Sequence, residues 1–341
     1  MPPVRFSPFI LALLAAGFLL PLILRGDERG PVLDSEKFLD KLEAAGKEML
    51  KAGNAKGSKE LNEGLKRDNC ALELPAARTE PIGDKELYAQ VTESIFVVCG
   101  LYKTPATPVK GDKKRKLPED EAWELAFSTA FAVTADGVLT TSRHFFGDPQ
   151  PCEVFLVADL KGTIYPVEEI LAADEKKDTC LFRIKAEGLK PLPLGKSIAP
   201  GSKVRVVSHP GYFFWFFSAG QVGNHFEEDG ASWVNITADF GQGSSGAPVF
   251  DEFGNVIGQV TSTLTLFATG PAQEEPAVAR RRIEVQAKPA EEKPETPKKP
   301  PKKKKKKEKP MEPPPEEQGE PQMVFKTCTP VEAIRSLIKQ P

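Results

Sequence analysis

The order of apolar and polar positions divides the chain into five segments. An apolar run covers residues 6–24, a helical pattern covers 34–66, and short apolar runs separated by polar turns occupy 87–265. A polar stretch over 270–322 is followed by one more apolar run and a helical pattern. Short apolar runs bounded by turn residues indicate β-strands, so the sequence predicts an all-β domain.

The predicted domain organisation follows these changes of pattern. We expect a signal peptide or membrane anchor over residues 1–26, a helical spacer over 27–80 and the β domain over 81–266. A disordered insertion over 267–322 precedes the last strand and C-terminal helix of the same domain at 323–341. An apolar run near an N-terminus is typical of export signals and anchors. We therefore expect an exported protein, secreted or held at the cell membrane facing the periplasm or exterior.

The insertion is rich in Lys, Pro and Glu and contains the unbroken lysines Lys302–Lys307. Such a composition cannot bury a core. One interpretation is a solvated linker, because neighbouring Glu residues nearly balance the lysines. The other is a patch that binds an anionic polymer or lipid headgroups. The formal net charge of the chain is −2, and we expect no specific nucleic-acid partner.

The chain has five cysteines, an odd number that leaves at least one thiol free in an exported protein unless it pairs between molecules. Three of them (Cys99, Cys180 and Cys328) lie in apolar runs, where cysteine most often acts as a small buried hydrophobe. The spacing has no CxxC or His-rich character, so we expect no metal site, and no disulfide is assigned.

Candidate chemistry begins with Ser245, which stands in the stretch Gly-Gln-Gly-Ser-Ser-Gly-Ala-Pro before an apolar run. A serine between glycines on a tight turn is an arrangement that presents a hydroxyl as a nucleophile. Gly243 allows the N–H groups of Gly243 and Ser245 to face one point, where an oxyanion can be held. Ser244 is the competing nucleophile, and the Gly-x-Ser-Gly register favours Ser245.

His144 and Asp178 precede that serine in the chain. We expect His144 at the C-terminal end of a short strand and Asp178 in a charged turn before another strand. Serine becomes nucleophilic when an imidazole takes its proton and a carboxylate fixes the imidazole tautomer. The competitors are Asp174, interpreted as a turn residue, and two further histidines that do not precede an aspartate strand.

These motifs resemble the trypsin-like serine peptidases of the chymotrypsin clan, and more closely their bacterial HtrA-like branch. The resemblance covers residues 87–265 and resumes at 324. It implies a double six-stranded β-barrel with a C-terminal helix, in which His144, Asp178 and Ser245 form the catalytic triad. No segment has the length of a PDZ domain, so we expect the HtrA-like branch without one.

The chain departs from the family at several positions. Ser244 stands where trypsin has an aspartate, and no trypsin-like activation sequence is visible. Ala247 replaces a glycine common in HtrA proteins, and Ser-Thr-Ala-Phe at 128–131 replaces a glycine-rich approach to the histidine strand. None of these changes removes a catalytic group. They bear on the shape of the substrate groove.

The resemblance also implies substrate contacts. Thr261, Ser262 and Thr263 would pair with the substrate backbone. Asp239 would form the floor of the primary pocket and favour Lys or Arg, although a loop carboxylate facing water is an equal alternative. The aromatic run at 212–217 could line a groove or touch a membrane, and a buried strand is the commoner explanation.

These observations predict a serine endopeptidase that cleaves polypeptides through an acyl-enzyme on Ser245. His144 would be the general base and Asp178 its orienting carboxylate, with no metal or organic cofactor. The alternative is a catalytically weak or inactive module that binds unfolded protein or an anionic surface polymer.

Overall fold

The computed structural model describes residues 32–103, 123–267 and 321–339. The expected signal or anchor at 1–26 lies outside the described residues, as do the lysine run and nearly all of the expected insertion. Within the described ranges, no helix combines the length and the apolar character needed to cross a membrane.

The described chain begins with a helical segment. Helix α1 (Ser35–Ala52) starts where the Asp34 carboxylate accepts the Lys37 N–H, and it ends at Gly53 in a left-handed conformation. The elements that follow are α2 (Ser58–Leu61), a 3-10 turn (Asn62–Lys66), β1 (Cys70–Ala71), α3 (Asp84–Val91) and a second 3-10 turn (Thr92–Ser94).

Six antiparallel strands close the first barrel in the order β2-β3-β4-β7-β6-β5. They are β2 (Ile95–Lys103), β3 (Trp123–Ala132), β4 (Val138–Thr141), β5 (Cys152–Ala158), β6 (Ile164–Asp174) and β7 (Thr179–Ile184). Helix α1, which falls in the expected spacer, packs on this barrel: Phe38 and Leu42 are buried, and Gly46 lies against the side chains of Leu101 and Leu156.

The second barrel also has six antiparallel strands, in the order β10-β13-β12-β11-β8-β9. They are β8 (Lys203–Ser208), β9 (Phe216–Glu228), β10 (Ala231–Ile236), β11 (Pro248–Phe250), β12 (Val256–Phe267) and β13 (Pro321–Pro330). The predicted pair of six-stranded barrels is thus confirmed. Strand β13 pairs with β12 and β10, so the barrel closes only with residues 321–330.

The last described strand pairs with a short strand that precedes the first barrel. Helix α5 (Val331–Ser336) follows β13, and β14 (Ile338–Lys339) pairs in parallel with β1. A buried cluster that includes Phe38, Phe131, Val256 and Ile334 connects α1, both barrels and α5. The predicted C-terminal helix is therefore present and packs into the domain core.

Two local predictions were wrong. His144 lies on α4 (Arg143–Phe146), a single turn after β4, rather than at the end of the strand. The aromatic run is not a buried strand. Residues 211–215 form turns, in which Trp215 has a left-handed φ of 52° and Tyr212 and Phe213 are 64% and 74% exposed. Only the last two residues of the run belong to a strand, the start of β9.

Candidate active site

His144 and Asp178 form a two-point contact. The Asp178 carboxylate accepts the backbone N–H of His144 through Oδ1 at 2.8 Å, and its Oδ2 lies 2.8 Å from the His144 ring Nδ1. The first contact fixes the α4 turn, and the second holds the proton of the imidazole on Nδ1. The remaining ring nitrogen, Nε2, is then the one that can accept a proton.

The environment of His144 sets its acid–base behaviour. Burial acts to lower the pKa of the imidazole, but the hydrogen bond and the negative charge of Asp178 outweigh it, and the pKa is raised above the ordinary histidine value. The Asp178 side chain is only 14% exposed, whereas that of His144 is 52% exposed. An accessible imidazole is thus supported by a carboxylate largely shielded from water.

Ser245 lies on the turn before β11 and is partly exposed. Its hydroxyl donates to the Thr261 carbonyl at 3.2 Å. Among the described residues it makes no hydrogen bond to His144. Ser244 is fully buried, and its hydroxyl bonds the Ser208 hydroxyl at 2.9 Å. Of the two adjacent serines, Ser245 is therefore the one that an incoming reactant can reach.

Strand β12 brings the histidine and serine loops together. Ser142, two residues before His144, donates to the Val260 carbonyl at 3.2 Å, and the Ser245 hydroxyl bonds the next carbonyl, that of Thr261. Both loops thus meet consecutive carbonyls of one strand, which places the candidate base and nucleophile at the junction of the two barrels.

Two glycines shape the turn that carries Ser245. Gly243 has a φ of 94°, and a Cβ there would lie 2.5 Å from the His209 carbonyl oxygen. Gly246 has a φ of 82°, and a Cβ there would lie 2.3 Å from both the Thr129 carbonyl oxygen and the Thr141 hydroxyl. A left-handed backbone and the absence of space both require glycine at these positions.

The N–H groups of Gly243 and Ser245 donate to no acceptor within the residues that the structure describes. Their neighbours are engaged, because Ser244 N–H donates to Gly241 O at 3.0 Å and Gly246 N–H to Val260 O at 2.7 Å. Free donors in a turn that is otherwise hydrogen-bonded can hold a ligand anion.

Two first-barrel residues hold the serine turn in place. The Ser245 carbonyl accepts the Ser128 hydroxyl at 2.6 Å and the Thr129 N–H at 2.9 Å. The Thr129 hydroxyl donates to the Gly243 carbonyl at 2.9 Å. Sequence reasoning noted this stretch only as a departure from the family. The signal available was a pair of hydroxyl residues within an otherwise apolar run, residues 125–132.

The predicted substrate-contact residues fall into two groups. Thr261, Ser262 and Thr263 lie on β12 beyond its pairing with β11, which ends at Gln259. In the described part of the chain, no strand covers this edge, and the Thr261 carbonyl faces Ser245. Asp239 is different. Its side chain is 85% exposed and lies 3.9 Å from the Lys326 ammonium, which matches a loop carboxylate facing water.

The competing residues have other roles. His209 is buried, its Nδ1 accepts the Trp215 N–H at 3.0 Å, and burial lowers its pKa to about 3. His225 is bonded to the Ile198 carbonyl at 2.9 Å. Asp174 accepts the Lys177 N–H at 3.1 Å, as the predicted turn residue.

All five cysteines are free, and burial raises the pKa of the Cys99, Cys180 and Cys328 thiols. Across residues 32–103, 123–267 and 321–339, no cluster of three or more His, Cys, Asp or Glu side chains is arranged to hold a metal ion.

Comparison with known proteins gives a family for this domain. The model of the trypsin-like peptidase domain matches residues 128–258, which include His144, Asp178 and Ser245. A probable periplasmic serine endoprotease, DegP-like, of Ectopseudomonas mendocina is 25% identical over 139 residues, covering 39% of this chain and 28% of the relative. The chloroplastic protease Do-like 5 of Arabidopsis thaliana is 32% identical over 133 residues, covering 36% and 41%.

The chain spans 18% to 41% of the length of the curated relatives it matches. Among solved structures, the HtrA-type protease AlgW with a decapeptide has a TM-score of 0.43 and 17% identity, covering 55% of this chain and 60% of that one. From the family match and the DegP-like relatives, we conclude that the chain contains a trypsin-like peptidase domain of the HtrA type.

Proposed function

We propose that the chain is a serine endopeptidase in which Ser245 is the nucleophile, His144 the general base and Asp178 its orienting carboxylate. The observation that carries the proposal is the two-point contact of Asp178 with His144. The accessible Ser245 lies at the same junction of the two barrels, where its hydroxyl bonds β12. A carboxylate that holds Nδ1–H leaves Nε2 free to accept the serine proton.

The reaction starts with rotation of the Ser245 hydroxyl from the Thr261 carbonyl toward His144 Nε2. His144 takes the proton while Ser245 Oγ attacks the scissile carbonyl, and the free N–H groups of Gly243 and Ser245 hold the oxyanion. The protonated His144 then gives its proton to the leaving amine. A water molecule then gives its proton to His144 and attacks the carbonyl of the acyl-enzyme. The carboxylic acid product leaves, and the proton returns from His144 to Ser245 Oγ.

The substrate class follows from the uncovered edge of β12. An extended polypeptide can add as a further strand along Thr261, Ser262 and Thr263, and its main-chain hydrogen bonds then provide affinity with little dependence on side chains. Asp239 is not part of the primary specificity pocket in this proposal, because its carboxylate faces water and Lys326.

We further propose that the protein acts outside the cytoplasm, with the N-terminal apolar segment as its export signal or membrane anchor. The apolar run at residues 6–24 and the DegP-like relatives named as periplasmic support this. The lysine-rich segment remains a candidate for contact with an anionic polymer or lipid.

The proposal is tested by incubating the full-length protein, purified in detergent, with fluorescently labelled unfolded casein. Wild type is expected to release peptides, and Ser245→Ala is expected to release none. His144→Ala is the second negative variant. Equal release by wild type and Ser245→Ala, or none by folded wild type, would contradict the proposed activity.

One observation favours the second candidate function, a binding module with little or no catalysis. The Ser245 hydroxyl bonds the Thr261 carbonyl instead of the imidazole. If folded wild type and Ser245→Ala both retain labelled casein on a column without cleaving it, the binding function replaces the enzymatic one.

A further inference from the structure

Gln259 is a completely buried amide on β12, in an otherwise apolar run of the strand. Its side chain reaches out of the second barrel and contacts four groups of the first. The four contacts are Nε2 to the Asp178 carbonyl oxygen (3.0 Å), Nε2 to the Thr141 carbonyl oxygen (3.3 Å), and the hydroxyls of Thr140 and Thr179 to Oε1 (3.3 and 3.4 Å).

The neighbours determine which way the amide faces. Carbonyl oxygens can only accept hydrogen bonds, so the NH₂ group must face Asp178 and Thr141, and the two hydroxyls then donate to the amide oxygen. Every donor and acceptor of the Gln259 side chain has a partner. A buried polar group satisfied in this way constrains the groups around it.

The group that Gln259 constrains most is Asp178. The backbone of Asp178 has a φ of 49°, a left-handed conformation that residues other than glycine seldom adopt. Gln259 holds the carbonyl of Asp178, and the Thr329 hydroxyl holds the preceding carbonyl, that of Lys177, at 2.8 Å. Two side chains of the second barrel thus fix a first-barrel turn on consecutive peptide groups.

We propose that Gln259 is a positioning residue, which holds Asp178 in the backbone conformation from which its carboxylate contacts both the N–H and the ring of His144. The inference rests on the proposed function for its catalytic meaning. It makes the alignment of the histidine and aspartate, both in the first barrel, dependent on docking of the second barrel.

The test replaces the amide with a thioether of the same length, Gln259→Met, in the full chain. The measurement is the pKa of His144 from ring NMR signals, which are simple to assign because the chain has three histidines. Asp178 contributes most to raising this pKa, with Asp148 adding to it, so a looser contact between Asp178 and His144 is expected to lower the pKa. Thr140→Val is the matched control: it removes one of the two hydroxyl contacts to Oε1, leaves the Thr179 contact and both carbonyl contacts in place, and is expected to leave the pKa unchanged.

A second readout is the rate of fluorophosphonate labelling at Ser245. Gln259→Met is expected to slow labelling roughly tenfold to a hundredfold, as a misplaced catalytic group does. An unchanged His144 pKa in folded Gln259→Met, or an equal shift in Thr140→Val, would overturn the inference. The NMR readout needs no activity, so a wild type that fails to label would count against the peptidase proposal and leave this one to be judged on the pKa.

If Gln259→Met does not fold, Gln259→Glu takes its place. A buried carboxyl group stays protonated near neutral pH, and its single O–H can satisfy only one of the two carbonyls. We expect Gln259→Glu to lower the His144 pKa as well, by less than Gln259→Met would. No movement in this folded variant would equally contradict the role of Gln259.

Discussion

The Asp178 carboxylate bonds both the backbone N–H and the ring Nδ1 of His144, each at 2.8 Å. One carboxylate therefore fixes both the position of the turn and the tautomer of the ring. Because this contact also raises the pKa of the imidazole, it determines the pH range in which His144 can act as a base.

The first prediction concerns pH. A general base must be neutral, so the fluorophosphonate labelling rate is expected to be low below the raised His144 pKa and to increase as pH rises through it. Asp178→Asn removes the charged contact that raises the His144 pKa. The midpoint of the labelling rate against pH is therefore expected to move to lower pH, while the plateau rate falls. A midpoint that stays unchanged in folded Asp178→Asn would contradict the assignment.

The second prediction concerns the first-barrel residues that hold the serine turn. Thr129→Val removes the hydroxyl bond to the Gly243 carbonyl, which is expected to cost about 1 kcal/mol of unfolding free energy and to slow labelling of Ser245. The matched control is Thr327→Val, which removes a 2.9 Å hydroxyl bond to Asn235 in the second barrel. The control should lose similar stability without slowing the labelling. Equal slowing in the two variants would contradict a specific role for the Thr129–Gly243 hydrogen bond in the reactivity of Ser245.

The third prediction compares two glycines with positive φ. A Cβ at Gly246 would collide with Thr129 and Thr141, whereas the space beside Gly188 (φ 70°) is open. Gly246→Ala is expected to cost about 3 kcal/mol or more, through strain and overpacking together. Gly188→Ala should cost only about 1 kcal/mol, from the backbone alone. Urea unfolding monitored by circular dichroism measures both, and similar losses would argue against the close packing at Gly246.

The fourth prediction concerns specificity. Because the Asp239 side chain is largely exposed and lies near Lys326, Asp239→Asn is expected to leave the preferred residues at the cleavage site unchanged. Mass-spectrometric identification of the casein fragments measures this preference. If the variant lost cleavage after Lys or Arg, the result would support the assignment of Asp239 to the floor of the primary pocket.

The sequence predicted those features that leave a local pattern. The glycines on either side of Ser245 predict a turn that only glycine can make. Short apolar runs separated by polar turns predict the barrel strands. The last strand was recognisable at Met323 because apolar residues return there after a long polar stretch, and the structure pairs it with β12.

Other features depend on residues far apart in the chain. Gln259 and Asp178 are separated by 81 positions, and no local pattern connects them. The local pattern predicts His144 at the C-terminal end of a short strand. Instead the Asp178 contact with its backbone N–H holds a helical turn. The exposed aromatic residues near Tyr212 likewise follow from a turn that hydrophobicity alone does not show.

The central claim is tested most directly by fluorophosphonate labelling of the full-length protein, with the adduct located by peptide mass spectrometry. The account predicts a single adduct on Ser245, present in wild type and Ser244→Ala and absent from Ser245→Ala and His144→Ala. A folded wild type with no adduct, or an adduct on Ser244, would contradict it.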